Sequence, residues 1–235
     1  MLEKLQVWGD SIMKGVVYDE KSHRYVTLKE NGLTEAEAFT KIQIENYSNF
    51  GQTILRMKPR LEKHLTDEVL PDAILIELGG NDCDFNWKEV GDAPEMAHLP
   101  KTPLPVFLDT LRGLVDEIRR CGILPLISTL PPLEHNRYFE WITRGEVCRE
   151  GVLKWLKTPY KIFSWQESYD AGARQVAAEL DVSLVDVRSA FLSQPDYGSL
   201  LCVDGIHPNE KGQRLIGSTV AEFLRQNFDL APQQI

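Results

Sequence analysis

Residues 5–11 read Leu-Gln-Val-Trp-Gly-Asp-Ser, an apolar run followed at once by a turn sequence. The run Leu5–Trp8 predicts a short buried strand. Gly9 allows the backbone to bend sharply, which places the Ser11 hydroxyl at a predicted strand-to-helix turn. The amino end of a helix favours negative charge through its unpaired N–H groups and its dipole. Ser11 is therefore a candidate nucleophile.

The rest of the chain alternates short apolar runs with longer segments of helical periodicity. Further strands are predicted at Ile42–Tyr47, Ala73–Leu78, Ile123–Ile127 and Ser183–Val187. Helices are predicted at Thr53–His64, Thr110–Cys121, Tyr169–Leu180 and about Glu210–Asn227. Such alternation is typical of an α/β fold with a parallel sheet and helices on both faces.

Length and the spacing of these elements predict one domain over residues 1–235, since domains mostly span about 100–200 residues. Two connections, at about residues 86–105 and 131–165, exceed ordinary lengths. Long connections in compact domains are often lids or binding loops. We expect both to be insertions in the one domain.

Charge narrows the classes of partner. Lys and Arg number 26 against 35 Asp and Glu, a formal net charge of -9. An acidic protein is poorly suited to nucleic acid or to an anionic membrane surface, so a small molecule is the expected partner. A homo-oligomer stays open. Glu3 interrupts any leader-like apolar stretch, and the chain is expected to be cytoplasmic.

Cysteine and histidine spacing argue against a metal or cofactor. The four cysteines, Cys83, Cys121, Cys148 and Cys202, form no C-x-x-C pair, and free thiols of a reducing compartment are expected. The five histidines form no H-E-x-x-H cluster. Phosphate-binding glycine motifs are also missing, and we expect neither metal nor cofactor.

Polar residues follow the predicted strands, where ligands bind in an open parallel sheet. Gly51 follows the second strand, and Asn81, whose amide could donate to an oxyanion, follows the third. Asp204 precedes His207 by three residues, with Gly205 between them. This spacing lets the carboxylate meet the imidazole Nδ1–H and leaves Nε2 as a base.

In their order along the chain, these blocks resemble the SGNH hydrolases, also called the GDSL-type esterase and lipase superfamily. The resemblance runs from residue 7 to about 212 and rests on residues 9–11, 51, 80–82 and 204–207. Two features depart from the family pattern. Ile12 stands in the usual leucine place, and the block around Gly51 lacks the common Asn-x-Gly arrangement.

The resemblance implies a three-layer α/β/α sandwich, flavodoxin-like, with a five-stranded parallel sheet. It also implies roles for the site residues. Ser11 would be the nucleophile and would supply one oxyanion N–H. Gly51 and Asn81 would supply the other two donors. His207 would be the general base, and Asp204 would orient it.

The resulting hypothesis is a serine esterase that forms an acyl-Ser11 intermediate. We expect a short acyl group such as acetyl, on a small alcohol or carbohydrate. A thioesterase or lysophospholipase with the same triad is the first alternative, and a non-catalytic small-molecule binding protein of the same fold is the second. Expected substrate contacts are Asp10, Asp82, Phe139 and Trp141. Arg137, Arg144 and Arg149 form either a basic rim for an anionic group or a solvated helix face.

Overall fold

The computed structural model describes residues 2–228, in which seven strands and nine α-helices follow one another. The strands are β1 (Lys4–Gly9), β2 (Val16–Asp19), β3 (Arg24–Thr27), β4 (Gln43–Asn46), β5 (Ala73–Glu77), β6 (Leu124–Ser128) and β7 (Ser183–Val185). The helices are α1 (Gly32–Thr40), α2 (Ile54–His64), α3 (Trp87–Asp92), α4 (Leu104–Arg120), α5 (His135–Ile142), α6 (Arg149–Leu156), α7 (Tyr160–Glu179), α8 (Val187–Leu192) and α9 (Glu210–Asn227).

Five strands form a parallel sheet in the order β4-β1-β5-β6-β7, which confirms the predicted fold class. Every residue of β5, at the centre, is buried. Apolar side chains of α2, α4 and α7 cover one face of the sheet. Those of α1, α8 and α9 cover the other. The three layers follow from this division, because a sheet buried on both faces needs helices on both.

The predicted helices agree with α2 and α9 but start too late elsewhere. Helix α4 begins at Leu104 rather than Thr110, and Pro105 fits in its first turn, where a missing N–H costs nothing. Helix α7 begins at Tyr160 rather than Tyr169. Its first two turns pack against other insertion residues, so their apolar positions do not continue the stripe that faces the sheet.

The helix predicted directly after Ser11 is wrong. Residues 11–15 form a turn with one bond of the α-helical type, from the Lys14 N–H to the Asp10 carbonyl at 3.1 Å, and one of the 3₁₀ type, from the Gly15 N–H to the Ile12 carbonyl at 3.0 Å. An antiparallel hairpin of β2 and β3 follows it. The sequence did not reveal this hairpin, because β3 is a four-residue strand without a fully buried side chain.

Both insertions contain helices. Helices α3, α5 and α6 form what we call the cap. Gly91 and Gly151 let α3 and α6 touch, since a Cβ on Gly151 would lie 2.0 Å from the Gly91 carbonyl oxygen. The cap shares a third apolar cluster with neighbouring residues, separate from the two on the sheet. Within residues 2–228, no helix is long and apolar enough to cross a membrane.

Candidate active site

Ser11, His207 and Asp204 form a continuous hydrogen-bonded chain. The Ser11 Oγ lies 2.9 Å from His207 Nε2, and His207 Nδ1 lies 2.6 Å from Asp204 Oδ2. All three side chains are buried. A carboxylate only accepts hydrogen bonds, so the imidazole proton belongs on Nδ1 and Nε2 accepts the serine O–H. The arrangement can draw the serine proton onto the imidazole.

A tight loop holds Asp204 and His207 together. Asp204 Oδ1 accepts the backbone N–H groups of Ile206 and His207, both at 3.1 Å. Gly205 has a positive φ of 76°, which glycine adopts without strain. The loop lies between α8 and α9, so it does not directly follow β7 as the sequence suggested.

Burial alone would raise the pKa of Asp204, but its hydrogen bond to His207 and the charge of that ring hold it below its ordinary value of 3.8. The two backbone N–H bonds act in the same direction. Asp204 is therefore an anion in the folded protein near neutral pH, able to stabilise a charged His207.

Tyr25, on the hairpin, is a site residue that sequence reasoning missed. Its hydroxyl donates to Asp204 Oδ2 at 2.9 Å, and its ring centroid lies 4.8 Å from that of His207. Burial and then the charge of Asp204 raise the pKa of Tyr25 above its ordinary value of 10.0, so the phenol stays protonated as a donor. No local sequence signal distinguishes this tyrosine from others.

Ser11, Gly51 and Asn81, the three residues expected to supply oxyanion donors, line one cavity. Their candidate donors are the backbone N–H groups of Ser11 and Gly51 and the side-chain amide of Asn81. Within residues 2–228, neither backbone N–H donates a hydrogen bond to the protein. Gly51 has a positive φ of 66°, which glycine adopts without strain. The Ser11 and Gly51 N–H groups could therefore donate to a bound oxyanion.

Asp10, expected to contact substrate, is among the residues that line the cavity, and it also orients Asn81. Its Oδ2 accepts from the Asn81 amide at 3.0 Å, and its Oδ1 accepts the Ile12 N–H at 2.8 Å. One amide hydrogen of Asn81 is thereby fixed and the other left for a ligand. Burial raises the pKa of Asp10 to about 6, although these hydrogen bonds and the charge of His207 oppose the rise.

Glu77, at the end of β5, lies beneath Asp10 and was also missed. Its Oε2 is 3.4 Å from the Asp10 N–H, and its Oε1 has no hydrogen-bond partner within the described chain. Burial and the charge of Asp10 raise the pKa of Glu77 well above 4.5. A carboxyl group ending a buried apolar strand was the available signal.

Next to Ser11 lies a cavity of about 290 Å³, beyond the carboxyl ends of the strands. Trp141, an expected substrate contact, lines it. Asp82 and Phe139 do not line it. Asp82 is buried and accepts the Ile54 N–H at 3.0 Å, whereas Phe139 packs inside the cap cluster. Neither side chain lines the cavity, because Asp82 is held by its hydrogen bond to α2 and Phe139 by packing in the cap.

A Ser-His-Asp chain beside oriented N–H donors, on a flavodoxin-like sheet, defines a serine hydrolase. A sequence profile of the GDSL-like lipase/acylhydrolase family matches residues 7–215. The protein belongs to this family and is an ester-hydrolysing serine hydrolase.

Individual relatives are distant in sequence. Over 161 residues the chain is 20% identical to CPRD49, a GDSL esterase/lipase of Arabidopsis thaliana, covering 67% of this chain and 56% of that protein. Over 230 residues it is 24% identical to YqeF, an uncharacterized lipoprotein of Bacillus subtilis, covering 91% of this chain and 86% of that protein.

Solved structures share the fold at similarly low identity. The lipase/acylhydrolase of Enterococcus faecalis superposes with a TM-score of 0.68 at 19% identity, covering 100% of both chains. A catalytic mutant of an acetylxylan esterase from Geobacillus stearothermophilus superposes with a TM-score of 0.64 at 21% identity, covering 99% of this chain and 97% of that one.

Proposed function

We propose that the protein hydrolyses carboxylic esters through an acyl-Ser11 intermediate. The observation that carries the proposal is the hydrogen-bonded chain from Ser11 through His207 to Asp204, beside a cavity large enough for a substrate. A nucleophile, a base and an orienting carboxylate in this relation are what acyl transfer requires.

In the first step, Ser11 Oγ attacks the ester carbonyl and His207 Nε2 accepts the serine proton. The carbonyl oxygen becomes an oxyanion, and the N–H groups of Ser11, Gly51 and Asn81 hold it. The bond to the leaving alcohol then breaks, and His207 returns the proton to the alcohol oxygen. Asp204 stabilises the imidazolium that exists between these two proton transfers.

In the second step, water enters and His207 Nε2 accepts one of its protons. The hydroxide equivalent attacks the acyl carbonyl, the bond to Ser11 Oγ breaks, and the proton passes back to Ser11. Because neutral imidazole is needed as the base in both steps, activity falls as His207 becomes protonated. The products are a carboxylic acid and an alcohol.

For the substrate, the sequence favours a short acyl group such as acetyl on a small alcohol or carbohydrate. The acetylxylan esterase with the same fold is in keeping with this expectation from the sequence. A thioesterase or lysophospholipase activity on longer chains is the alternative. A cytoplasmic location and a homo-oligomer stay predictions of the sequence.

The test of the mechanism is the Ser11→Ala variant assayed on p-nitrophenyl acetate, with a fluorophosphonate probe as a second readout. We expect turnover to be lost, the melting temperature to be unchanged, and the wild type alone to carry a phosphonate adduct on Ser11. Ser48→Ala is the matched control, since Ser48 is also buried but its hydroxyl has no partner among residues 2–228. Full activity in Ser11→Ala, or an adduct on another residue, contradicts the proposal.

A further inference from the structure

We propose that the cavity beside Ser11 binds an apolar substituent of the ester, an aryl or medium-length alkyl group, and not a sugar. This inference rests on the proposed ester hydrolysis and specifies its substrate class. The sequence favoured a carbohydrate, whereas the residues that line the cavity favour an apolar group.

The wall away from the reacting atoms is mostly hydrocarbon and aromatic ring. It comes from the cap, from α7 and from the loops after β5 and β6. Its apolar members are Phe85, Trp87, Leu133, Tyr138, Trp141, Ile142, Ile162 and Trp165. Aromatic and aliphatic walls gain free energy when they replace water with apolar surface.

Asp84 is a polar group in this wall, but its oxygens are already occupied. Oδ1 accepts from the Trp87 indole at 2.7 Å and from the Tyr138 hydroxyl at 2.9 Å. Oδ2 accepts from Lys101 Nζ at 2.8 Å. The Asp84 carboxylate thereby accepts hydrogen bonds from two donors of the wall and from a cation. A ligand therefore gains little hydrogen bonding from Asp84 or from its three partners.

Gln166 is likewise engaged with the protein. Its Oε1 accepts from the Leu133 N–H and from Arg188 Nη1, both at 3.2 Å, and its Nε2 donates to the Pro131 carbonyl at 3.1 Å. Within the described chain, the indoles of Trp141 and Trp165 are the side-chain donors of this wall without a protein acceptor. Each sugar hydroxyl needs donors and acceptors to replace water, and an unreplaced hydrogen bond is costly.

The cap also offers little to an anionic substrate, which disfavours the basic rim. Arg137 donates to the Gly198 carbonyl at 2.5 Å and pairs with Glu134, and Arg149 forms a two-pronged pair with Glu140. Arg144 lies over the Trp141 ring, 4.1 Å from its centroid. Arg137 and Arg149 are thus paired with carboxylates, whereas Arg144 is exposed and forms no ion pair within residues 2–228.

Cavity size points beyond acetyl. The volume of about 290 Å³ corresponds to roughly ten water-sized atoms at about 30 Å³ each. An acetyl group has three non-hydrogen atoms and would leave most of the space unfilled. Burial of each added methylene is worth about a factor of four in binding. We expect kcat/KM to rise by about that factor per carbon until the cavity is full.

The experiment follows proton release from two ester series without a chromogenic group. The first series is methyl esters of straight acids from two to ten carbons. The second is acetates of methyl, butyl, hexyl and benzyl alcohol, with acetylated xylose for comparison. A rise of at least tenfold along either series supports the proposal. Flat profiles in both, or acetylated xylose exceeding every apolar ester, overturn it.

The Ile142→Phe variant narrows the cavity from the cap, because Ile142 lies in α5 and lines the wall. We expect it to lower the ratio of kcat/KM for the longest good substrate over the shortest by tenfold or more. Leu153→Phe, on the exposed side of α6 and outside the cavity lining, is the matched control and leaves the ratio unchanged. If Ile142→Phe misfolds, Trp165→Ala, which widens the same wall, must shift the preferred chain length upward.

The two proposals fail in distinguishable ways. Loss of p-nitrophenyl acetate hydrolysis in Ser11→Ala establishes ester hydrolysis independently of chain length. An active wild type with no preference for apolar esters, or a preference that neither cavity variant changes, overturns the substrate class alone. A wild type inactive on every ester overturns both.

Discussion

The Tyr25 hydroxyl donates a hydrogen bond to the same Asp204 oxygen that accepts one from His207. Oδ2 of Asp204 lies 2.9 Å from the Tyr25 hydroxyl and 2.6 Å from His207 Nδ1. The hairpin of β2 and β3 thus adds a fourth member to the hydrogen-bonded chain that begins at Ser11. The phenol donates a hydrogen bond to the carboxylate and so reduces the negative charge on Oδ2. Asp204 therefore stabilises a protonated His207 less strongly than it would without Tyr25.

Tyr25→Phe is expected to move the acidic limb of the kcat/KM profile to higher pH. Without the phenol, more negative charge stays on Oδ2, and Asp204 stabilises a charged imidazole more strongly. Asp10 and Cys202 are other titratable groups near this chain, and the substitution leaves them in place. The measurement is a pH-rate profile.

Tyr18→Phe is the matched control for that profile. Tyr18 lies on the same hairpin, its ring 5.3 Å from that of Tyr25, and its hydroxyl makes no hydrogen bond within residues 2–228. We expect this variant to keep the wild-type limb. A Tyr25→Phe profile that matches the wild type would show that the hydroxyl has only a packing role.

The sequence predicted most of the sheet and the chain from Ser11 to Asp204, but not Tyr25. Strands such as β5 are recognisable because every side chain is buried and apolar until Glu77. The Asp204–His207 contact depends on a three-residue spacing, which local geometry nearly determines. Tyr25 reaches the site only through hairpin packing across 179 residues of sequence, and no local pattern encodes such a contact.

The helices of the cap, unlike its place in the chain, were missed for a different physical reason. Their apolar side chains line a cavity and pack on one another, so they do not form the single stripe by which a surface helix is recognised. The residues that line the cavity also explain why the sequence favoured a carbohydrate substrate. Aromatic residues were visible in the sequence, but the engagement of Asp84 and Gln166 with the protein was not.

Asn81→Ala is expected to lower kcat by about 10²–10³, the usual cost of losing one oxyanion donor. The fold should persist, because Asn81 lies in a loop and its recorded hydrogen bond is to Asp10. Steady-state kinetics and thermal melts check both points. Asn136→Ala, on the exposed surface of α5, should leave kcat unchanged. A loss below fivefold in Asn81→Ala would exclude its role as an oxyanion donor.

Glu77→Gln is expected to become more stable relative to the wild type as pH rises. The folded-state pKa of Glu77 is raised, mainly by burial. Its stabilising contribution is therefore complete below the ordinary value of 4.5 and is lost as pH rises through the folded-state value. Glutamine resembles the neutral acid and cannot ionise. Urea unfolding from pH 4 to 9 measures the difference in free energy of unfolding.

Glu68→Gln, an exposed substitution, is the control for that series and should follow the wild type. The gap between Glu77→Gln and the wild type should widen above pH 4.5 until pH passes the folded-state pKa of Glu77, and stay constant beyond it. A constant gap across the range would mean that Glu77 does not change its protonation on unfolding, which is contrary to its burial beneath Asp10.

Gly205→Ala is expected to lower both stability and kcat, because the loop of Asp204 and His207 has no room for a side chain. A Cβ there would lie 2.7 Å from the Glu134 carbonyl oxygen and 2.9 Å from Arg137 Cβ. Backbone strain at positive φ costs about 1–2 kcal/mol, and overpacking adds about 1–3 kcal/mol. Gly122→Ala separates these two costs, since Gly122 has the same φ of 76° with nothing within 4 Å. Urea unfolding should show only the strain for Gly122→Ala, with kcat preserved. Equal losses of stability in the two variants, with kcat preserved in both, would mean that the contact of this loop with α5 does not position His207.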